Sequence, residues 1–272
     1  MLGERWTRRA KRHALQLVAR WGYDVEKQPT WLPPYRFLRR IPLGRDPLTD
    51  VKTIRGGEIR CVFDVGANVG QSAALFSDVF PAATVHSFEP DPESYRQLQR
   101  VAASYPRVSA INAAVGDREG DATFYVNEFR QTNSLLKAAG NAGQFLVGTH
   151  GLDLRSEIQV QVLTLDGYCA DHGIEHIDLL KLDTQGYELK VLDGASGLLG
   201  RQAVPLIYLE VGFIPLYQGQ PMFPQVYQYL YDRAYRLVWL YESNFHTHLF
   251  TISASALFVH ERLGSRLSPA AG

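Results

Sequence analysis

Asp64-x-Gly66-x-Asn68-x-Gly70, within CVFDVGANVGQSAALF at residues 61–76, places an acid and two glycines where an apolar run gives way to a helix-compatible one. A glycine-containing strand-to-helix turn lets a ligand approach the backbone, and the first helical N–H groups then face that ligand. The dinucleotide fingerprint would need glycine at Asn68 and Gln71, and a P-loop would need Gly-Lys-Ser/Thr; the sequence has neither. A carboxylate at the strand end repels a pyrophosphate and suits an adenosyl ligand carrying an ammonium group. Glu89 ends a second apolar run just before Pro90. A carboxylate there can accept both hydroxyl protons of a ribose.

A second acidic turn, LLKLDTQGYE, carries Lys181, Asp183 and Glu188, and Glu210 ends LIYLEV. Lys181 and Asp183 are two apart on a predicted strand and so share a face. A lysine in a parallel strand is costly unless it is paired or sits at the open end. Such a group could take a proton from a hydroxyl, with Asp183 as the base and Lys181 and Glu210 beside it. Alternatively Asp183, Glu188 and Glu210 with water could hold Mg²⁺. A salt-bridge network at the sheet edge would use the same residues. His246 and His248 in ESNFHTHLF, and Tyr217 after the fifth strand, are further contacts for a substrate. The histidines are equally compatible with solvent and Tyr217 with the core.

The elements that position these residues follow from the hydrophobic pattern. IRCVFDV, ATVHSFEP, VSAINAAV, IDLLKLD, VPLIYLEV (204–211), RLVWLYE (236–242) and SALFVHE (255–261) read as strands. Helices are expected at Gln71–Val79, at Pro92–Ser104 capped by Asp91, and at Asp166–His172, Gly186–Leu199 and Pro224–Ala234. The alternation predicts an α/β fold, a mostly parallel seven-stranded sheet with helices on both faces. DATFYVN (121–127) and EIQVQVLTL (157–165) alternate in part and could pair as an antiparallel annex, an insertion at about 120–165. The glycine-rich residues between them read as a mobile loop. The main domain is expected over 58–265. Before it, residues 1–57 divide into a helix at 2–21 and an irregular Pro- and Arg-rich connector at 28–57.

The chain has 272 residues and no formal net charge, which argues against a general nucleic-acid binder. Residues 1–40 nevertheless carry ten Lys or Arg against three acids. That basic arm could lie on an anionic membrane surface, or dock its apolar stripe on the main domain or a second subunit. Two cysteines, Cys61 and Cys169, are too few for a disulfide scaffold. With no apolar run near 18 residues and no secretory pattern, a cytoplasmic location is expected.

VFDVGANVGQ, SFEPDPESYRQL, INAAVGD, VLTLD, LLKLDTQGYELKVLDGA and LIYLEV follow one another in the order of the FkbM-type methyltransferases, which the chain resembles over roughly residues 58–242. The resemblance implies the class I methyltransferase (Rossmann-like) fold and S-adenosylmethionine as cofactor. It implies O-methylation of a sugar or of a glycosylated or polyketide-type metabolite. Carried over, Asp64, Gly66, Asn68 and Gly70 would hold the methionyl part and Glu89 the ribose. Ala114, Val115 and Asp117 would line the adenine end. Thr184-Gln185-Gly186 departs from the family, which more often has a branched apolar residue and then an acid. N-methylation of a peptide or amine, and a nucleoside-binding scaffold without catalysis, remain alternatives.

Overall fold

The computed structural model describes residues 23–27, 35–39, 43–145, 151–246 and 250–264. The helix expected at 2–21 lies outside them. In an N-terminal unit, residues 1–44, Tyr23–Lys27 (β1) pairs antiparallel with Tyr35–Arg39 (β2). The second unit, residues 45–272, opens with a helix, Pro47–Arg55 (α1). An irregular connector over 28–57 is therefore corrected at β2 and α1. The helix has a clear local cause. Asp46 caps it by accepting from Thr49 N at 2.6 Å, Pro47 occupies the first turn, and Gly56 ends it at φ +61°. Leu48, Val51 and Ile54 are buried. Arg55 is paired with the buried Asp178 at 2.9 Å, and Tyr241 donates to the buried Asp50.

Seven strands form the main sheet: Cys61–Val65 (β3), Thr84–Phe88 (β4), Val108–Ile111 (β5), Leu179–Leu182 (β9), Leu206–Gly212 (β10), Tyr235–His246 (β11) and Phe250–His260 (β12). Their spatial order is β11-β12-β10-β9-β3-β4-β5. β3 pairs parallel with β4 and β9, β4 with β5, and β9 with β10, while β12 runs against both its neighbours. The inner strands are apolar on both faces because helices cover both, and β9 (LLKL) is buried throughout. Gln71–Val79 (α2) and Pro92–Ser104 (α3) form as expected, with Asp91 capping α3.

Three differences have causes distant in sequence. The third strand expected at 108–115 splits. Asn112 donates to the carbonyls of Glu89 and Pro90, and the chain leaves the main sheet to form Ala114–Val115 (β6). β6 joins Gly120–Asn127 (β7) and Leu154–Leu163 (β8) in a separate sheet, in which β7 and β8 pair antiparallel. The helix expected over 186–199 is two, Glu188–Asp193 and Ser196–Gly200. Asp166, in the helix Leu165–His172, accepts from Gly197 N at 2.7 Å and Leu198 N at 2.8 Å and so caps the second of them from outside. The described part of the expected mobile loop is pinned. Ser134 and Tyr125 exchange backbone hydrogen bonds, and Ala139 N and Gln218 N tie that stretch to the segment after β10.

Candidate active site

The carboxyl ends of β3, β4, β9 and β10 open onto a cavity of about 600 Å³. Its two ends are built differently.

Toward β4, the wall is the glycine turn and Glu89. Gly66 has φ +79°, and a Cβ there would stand 1.9 Å from the carbonyl oxygen of Asp183, so the turn and the end of β9 touch backbone to backbone. Gly66 N and Ala67 N both donate to Phe88 O at 3.0 Å. Asn68, at φ +49°, donates its N–H to Glu89 Oε2 at 2.8 Å, and Asp91 N donates to Oε1 at 2.8 Å. Each oxygen of Glu89 thus holds one backbone N–H and keeps capacity for one further donor. Burial pushes the Glu89 carboxyl up to about 7, against those two bonds. Phe88, Ala113, Ala114, Val115 and Phe124 supply an apolar wall.

Asp64 is placed otherwise than expected. It is fully buried at the end of β3 and is not part of the cavity wall. Its Oδ2 accepts from Ser72 Oγ at 2.6 Å, and its Oδ1 lies 3.0 Å from Lys181 Nζ. Gly70, at φ +94°, caps α2 behind the wall. Asp117 is likewise off the wall, in an ion pair with Lys190 at 2.8 Å.

Lys181 joins the two ends. β9 places it beside Asp64 on β3 and Tyr208 on β10. Its ammonium donates to Gly66 O at 2.9 Å and stands 3.7 Å from Asp183 Oδ2. Burial works to lower its pKa, but the charges of Asp64 and Asp183 and the hydrogen bond to Asp64 outweigh burial and hold it above the usual lysine value.

Toward β10 the wall is polar: Asp183, Gln185, Tyr208, Glu210, Glu242 and Ser255. The Asp183 side chain is 46% exposed, enough to meet a ligand directly. Gln185 Nε2 donates to Asp183 Oδ1 at 2.8 Å and to Glu210 Oε2 at 2.7 Å. Glu210 is half-buried. Desolvation, then the charges of Asp183 and Glu188, raise its pKa to about 8. Glu242, at φ +50°, accepts from Tyr208 Oη at 3.1 Å and Ser255 Oγ at 3.3 Å.

The expected metal set of Asp183, Glu188 and Glu210 is not assembled. Glu188 Oε1 accepts from Thr184 N, Thr184 Oγ1 and Gly186 N, so this carboxylate is spent holding its own loop. No group of three His, Cys, Asp or Glu able to hold a metal ion occurs among the described residues. Tyr217 is also not on the wall. It is buried behind Gln185, with its hydroxyl 2.9 Å from both Gln185 Oε1 and Thr132 O. His246 ends β11 but its side chain, like all of His248, lies outside what the structure describes.

Tyr208, Glu242 and Ser255 were missed from sequence. Tyr208 had a usable signal, since it lies two residues before Glu210 and so shares its face. Glu242 had none, because a register shift between Tyr241 and Asn244 breaks the alternation there.

The strand order, with β12 alone running against the rest, and the ligand-sized opening at the glycine turn define the fold of the class I, S-adenosylmethionine-dependent methyltransferases. Within that class the chain belongs to the FkbM methyltransferase family, whose methyltransferase FkbM domain matches residues 64–237. It is 27% identical over 166 residues to the 2-O-methyltransferase NoeI of Sinorhizobium fredii (strain NBRC 101917 / NGR234), a match covering 58% of this chain and 66% of that one. It is 31% identical over 176 residues to the 31-O-demethyl-FK506 methyltransferase FkbM of Streptomyces tacrolimicus, covering 57% and 68%. It is 24% identical over 151 residues to the hexuronic acid methyltransferase AglP of Haloferax volcanii, covering 55% of each chain. The chain therefore spans only part, 55% to 68%, of the length of these relatives. No helix among the described residues is long and apolar enough to cross a membrane.

Proposed function

We propose that this chain transfers the methyl group of S-adenosylmethionine to a hydroxyl oxygen of a sugar, or of a glycosylated or polyketide-type metabolite. The donor fits the residues present. Glu89 has one acceptor position left on each oxygen for the two ribose hydroxyls, and Ala114 and Val115 offer an apolar face for the adenine. Gly66 and Asn68 line the cavity at the turn, where the methionyl part would lie. When bound, the donor supplies an electrophilic methyl.

The protein's own work is then positioning and proton removal. Asp183 would take the proton of the acceptor hydroxyl as the oxygen–methyl bond forms and the sulfur–methyl bond breaks, which leaves S-adenosylhomocysteine. Lys181, already fixed by Asp64 and Gly66 O, keeps that carboxylate in place. Tyr208, Glu242 and Ser255 offer hydrogen bonds to further hydroxyls of the acceptor, which suits a polyol better than an apolar substrate. One observation carries the reading. An exposed carboxylate, Asp183, stands one strand beyond the glycine turn, while Glu89 lies one strand before it. That puts base and ribose clamp about 10 Å apart, two strand spacings. Two of the relatives, a 2-O-methyltransferase and a 31-O-demethyl-FK506 methyltransferase, point the same way.

The test is methyl transfer from labelled S-adenosylmethionine across a panel of sugars, glycosides and peptides, beside calorimetry with S-adenosylhomocysteine. Asp183→Asn should lower turnover about a thousandfold, the scale of a lost general base, with cofactor affinity retained. Near-normal turnover in that variant would remove Asp183 from the mechanism, and transfer to amines alone would remove the hydroxyl acceptor.

A further inference from the structure

Gln185 follows Asp183 by two residues, and its surroundings give it a definite task. Its amide nitrogen has two hydrogens, and each is directed at a different carboxylate, Asp183 Oδ1 at 2.8 Å and Glu210 Oε2 at 2.7 Å. Its amide oxygen lies 2.9 Å from the Tyr217 hydroxyl. The orientation is determined by chemistry, since the flipped amide would turn its oxygen on two carboxylates.

The residue is also held against a conformational cost. Its φ of +54° lies in the left-handed region, which a side chain with a Cβ enters at about 1–2 kcal/mol. Ser134 Oγ donates to Gln185 O at 2.8 Å, and Glu188 anchors the loop from below through Thr184 N and Gly186 N. A strained backbone fixed from several sides is found where one side-chain placement matters.

We propose that Gln185 is a positioning residue whose amide bridges Asp183 and Glu210 in the place a cation would otherwise take, keeping Asp183 aimed at the acceptor as the base. The inference rests on the proposed methyl transfer to a hydroxyl. The amide holds the two carboxylates together, and of the two Glu210 is the more buried, which favours its protonated form. Burial and the neighbouring charges act on Glu210 in that direction. The charged and titratable groups around the bridge are Lys181 on β9, Glu188 on the following helix, Tyr208 on β10, Glu242 on β11, which accepts from Tyr208, and Tyr217. Lys181 is already committed to Asp64 and Gly66 O, and Glu188 to its loop. The amide is the group that couples the pair.

Gln185→Asn tests this, because asparagine tolerates the same φ but is one methylene too short to span both partners. The full chain is assayed with a hydroxyl acceptor over pH 5–9, with and without EDTA. Expected are an EDTA-insensitive wild type and a variant whose kcat falls at least about tenfold. The acid limb of its kcat/KM profile should move up by about one to two pH units, the shift for one lost charge-assisted hydrogen bond. Its affinity for S-adenosylhomocysteine should stay within about threefold of wild type, because the donor contacts lie elsewhere on the wall. An unmoved acid limb overturns the proposal even if kcat falls, and so does a wild type that EDTA inactivates and Mg²⁺ restores. Should Gln185→Asn fail to fold, Tyr217→Phe replaces it, with a smaller shift of the same sign expected and an unmoved limb again refuting. A readout without turnover is the ¹⁵N–¹H signal of the Gln185 side-chain amide, assigned by its loss in the variant. That signal should follow the carboxylate titration in the ligand-free protein, and a pH-independent signal overturns the bridge. Since the amide signal needs no acceptor, it stands or falls separately from the methyl-transfer reading.

Discussion

Replacing Lys181 with Met removes a cation from one of the most enclosed places in the sheet. The lysine side chain is 11% exposed and Asp64 fully buried. Methionine matches the lysine stem, so packing changes little. What changes is Asp64, which keeps only the hydroxyl of Ser72 at 2.6 Å, and Gly66 O, which loses its donor at 2.9 Å. Stranding one partner of a buried pair costs about 3–5 kcal/mol. For a domain of this size, at about 2–4 °C per kcal/mol, the melting temperature should fall on the order of 10 °C. A lysine whose folded pKa is raised contributes stability below its unfolded value near 10, and that contribution is lost only as pH rises through the folded value. Between pH 5 and 8 the wild-type contribution is therefore constant. Lys181 also holds down the pKa values of Glu89 and Glu210, so its loss penalises their charged forms and the deficit should shrink toward acid pH. Urea unfolding of Lys181→Met, Asp64→Asn and the double variant at pH 5.5 and 8 closes a cycle, and a coupling of at least about 2 kcal/mol at pH 8 is expected. A single variant within about 1 kcal/mol of wild type at pH 8, or a cycle with no coupling, refutes the account of β3 and β9 as joined by this pair.

Two other outcomes follow from the same geometry. Glu89→Ala should weaken S-adenosylhomocysteine binding by about 100-fold, as two hydrogen bonds to a charged group are lost at about 1.5 kcal/mol each, and calorimetry that finds unchanged affinity would remove Glu89 from the ribose site. Glu89 and Glu188 are held up to about 7, and Glu210 to about 8, chiefly by burial, so the folded state binds more protons than the unfolded one between about pH 4.3 and those values. Stability of the ligand-free chain should therefore fall as pH rises from about 5 to 8, and a melting temperature that climbs over that range would contradict these environments.

Much of the fold was legible because parallel strands buried on both faces leave a mostly apolar run, interrupted in CVFDV and LLKL by the paired Asp64 and Lys181, and because caps such as Asp91-Pro92 are local. The failures were tertiary. Nothing within GYELKVLDGASGLL announces a break, which is set by Asp166, some 30 residues earlier in the chain. VSAINAAV reads as one strand until the carbonyls that take up Asn112 are known. At the site, the residue types were found and their partners were not. Asp64 looked like a ligand group because an acid after an apolar strand is conspicuous, but that burial is tolerated through Lys181, 117 positions later. Gln185 looked like a missing contact because sequence shows a residue's type and not where its amide points.

Lys181 also explains why donor and base can be held in register without a dedicated loop. Its ammonium binds the carbonyl of Gly66 on the donor turn, and two residues on in the same strand segment Asp183 faces the acceptor end. The backbone contact between Gly66 and Asp183 fixes the separation from the other side, since no side chain can intrude there. Donor turn and base are thus parts of one rigid pair of strands. The remainder of the wall comes from β10, β11 and β12 and from the segment around Ser134; Gln185 links Asp183 to Glu210 on β10, and hydrogen bonds donated by Ser134 and Tyr217 hold it. On the proposed reading, the β3–β9 pair sets the distance between methyl donor and base, and the strained loop at Gln185 ties that pair to the acceptor end.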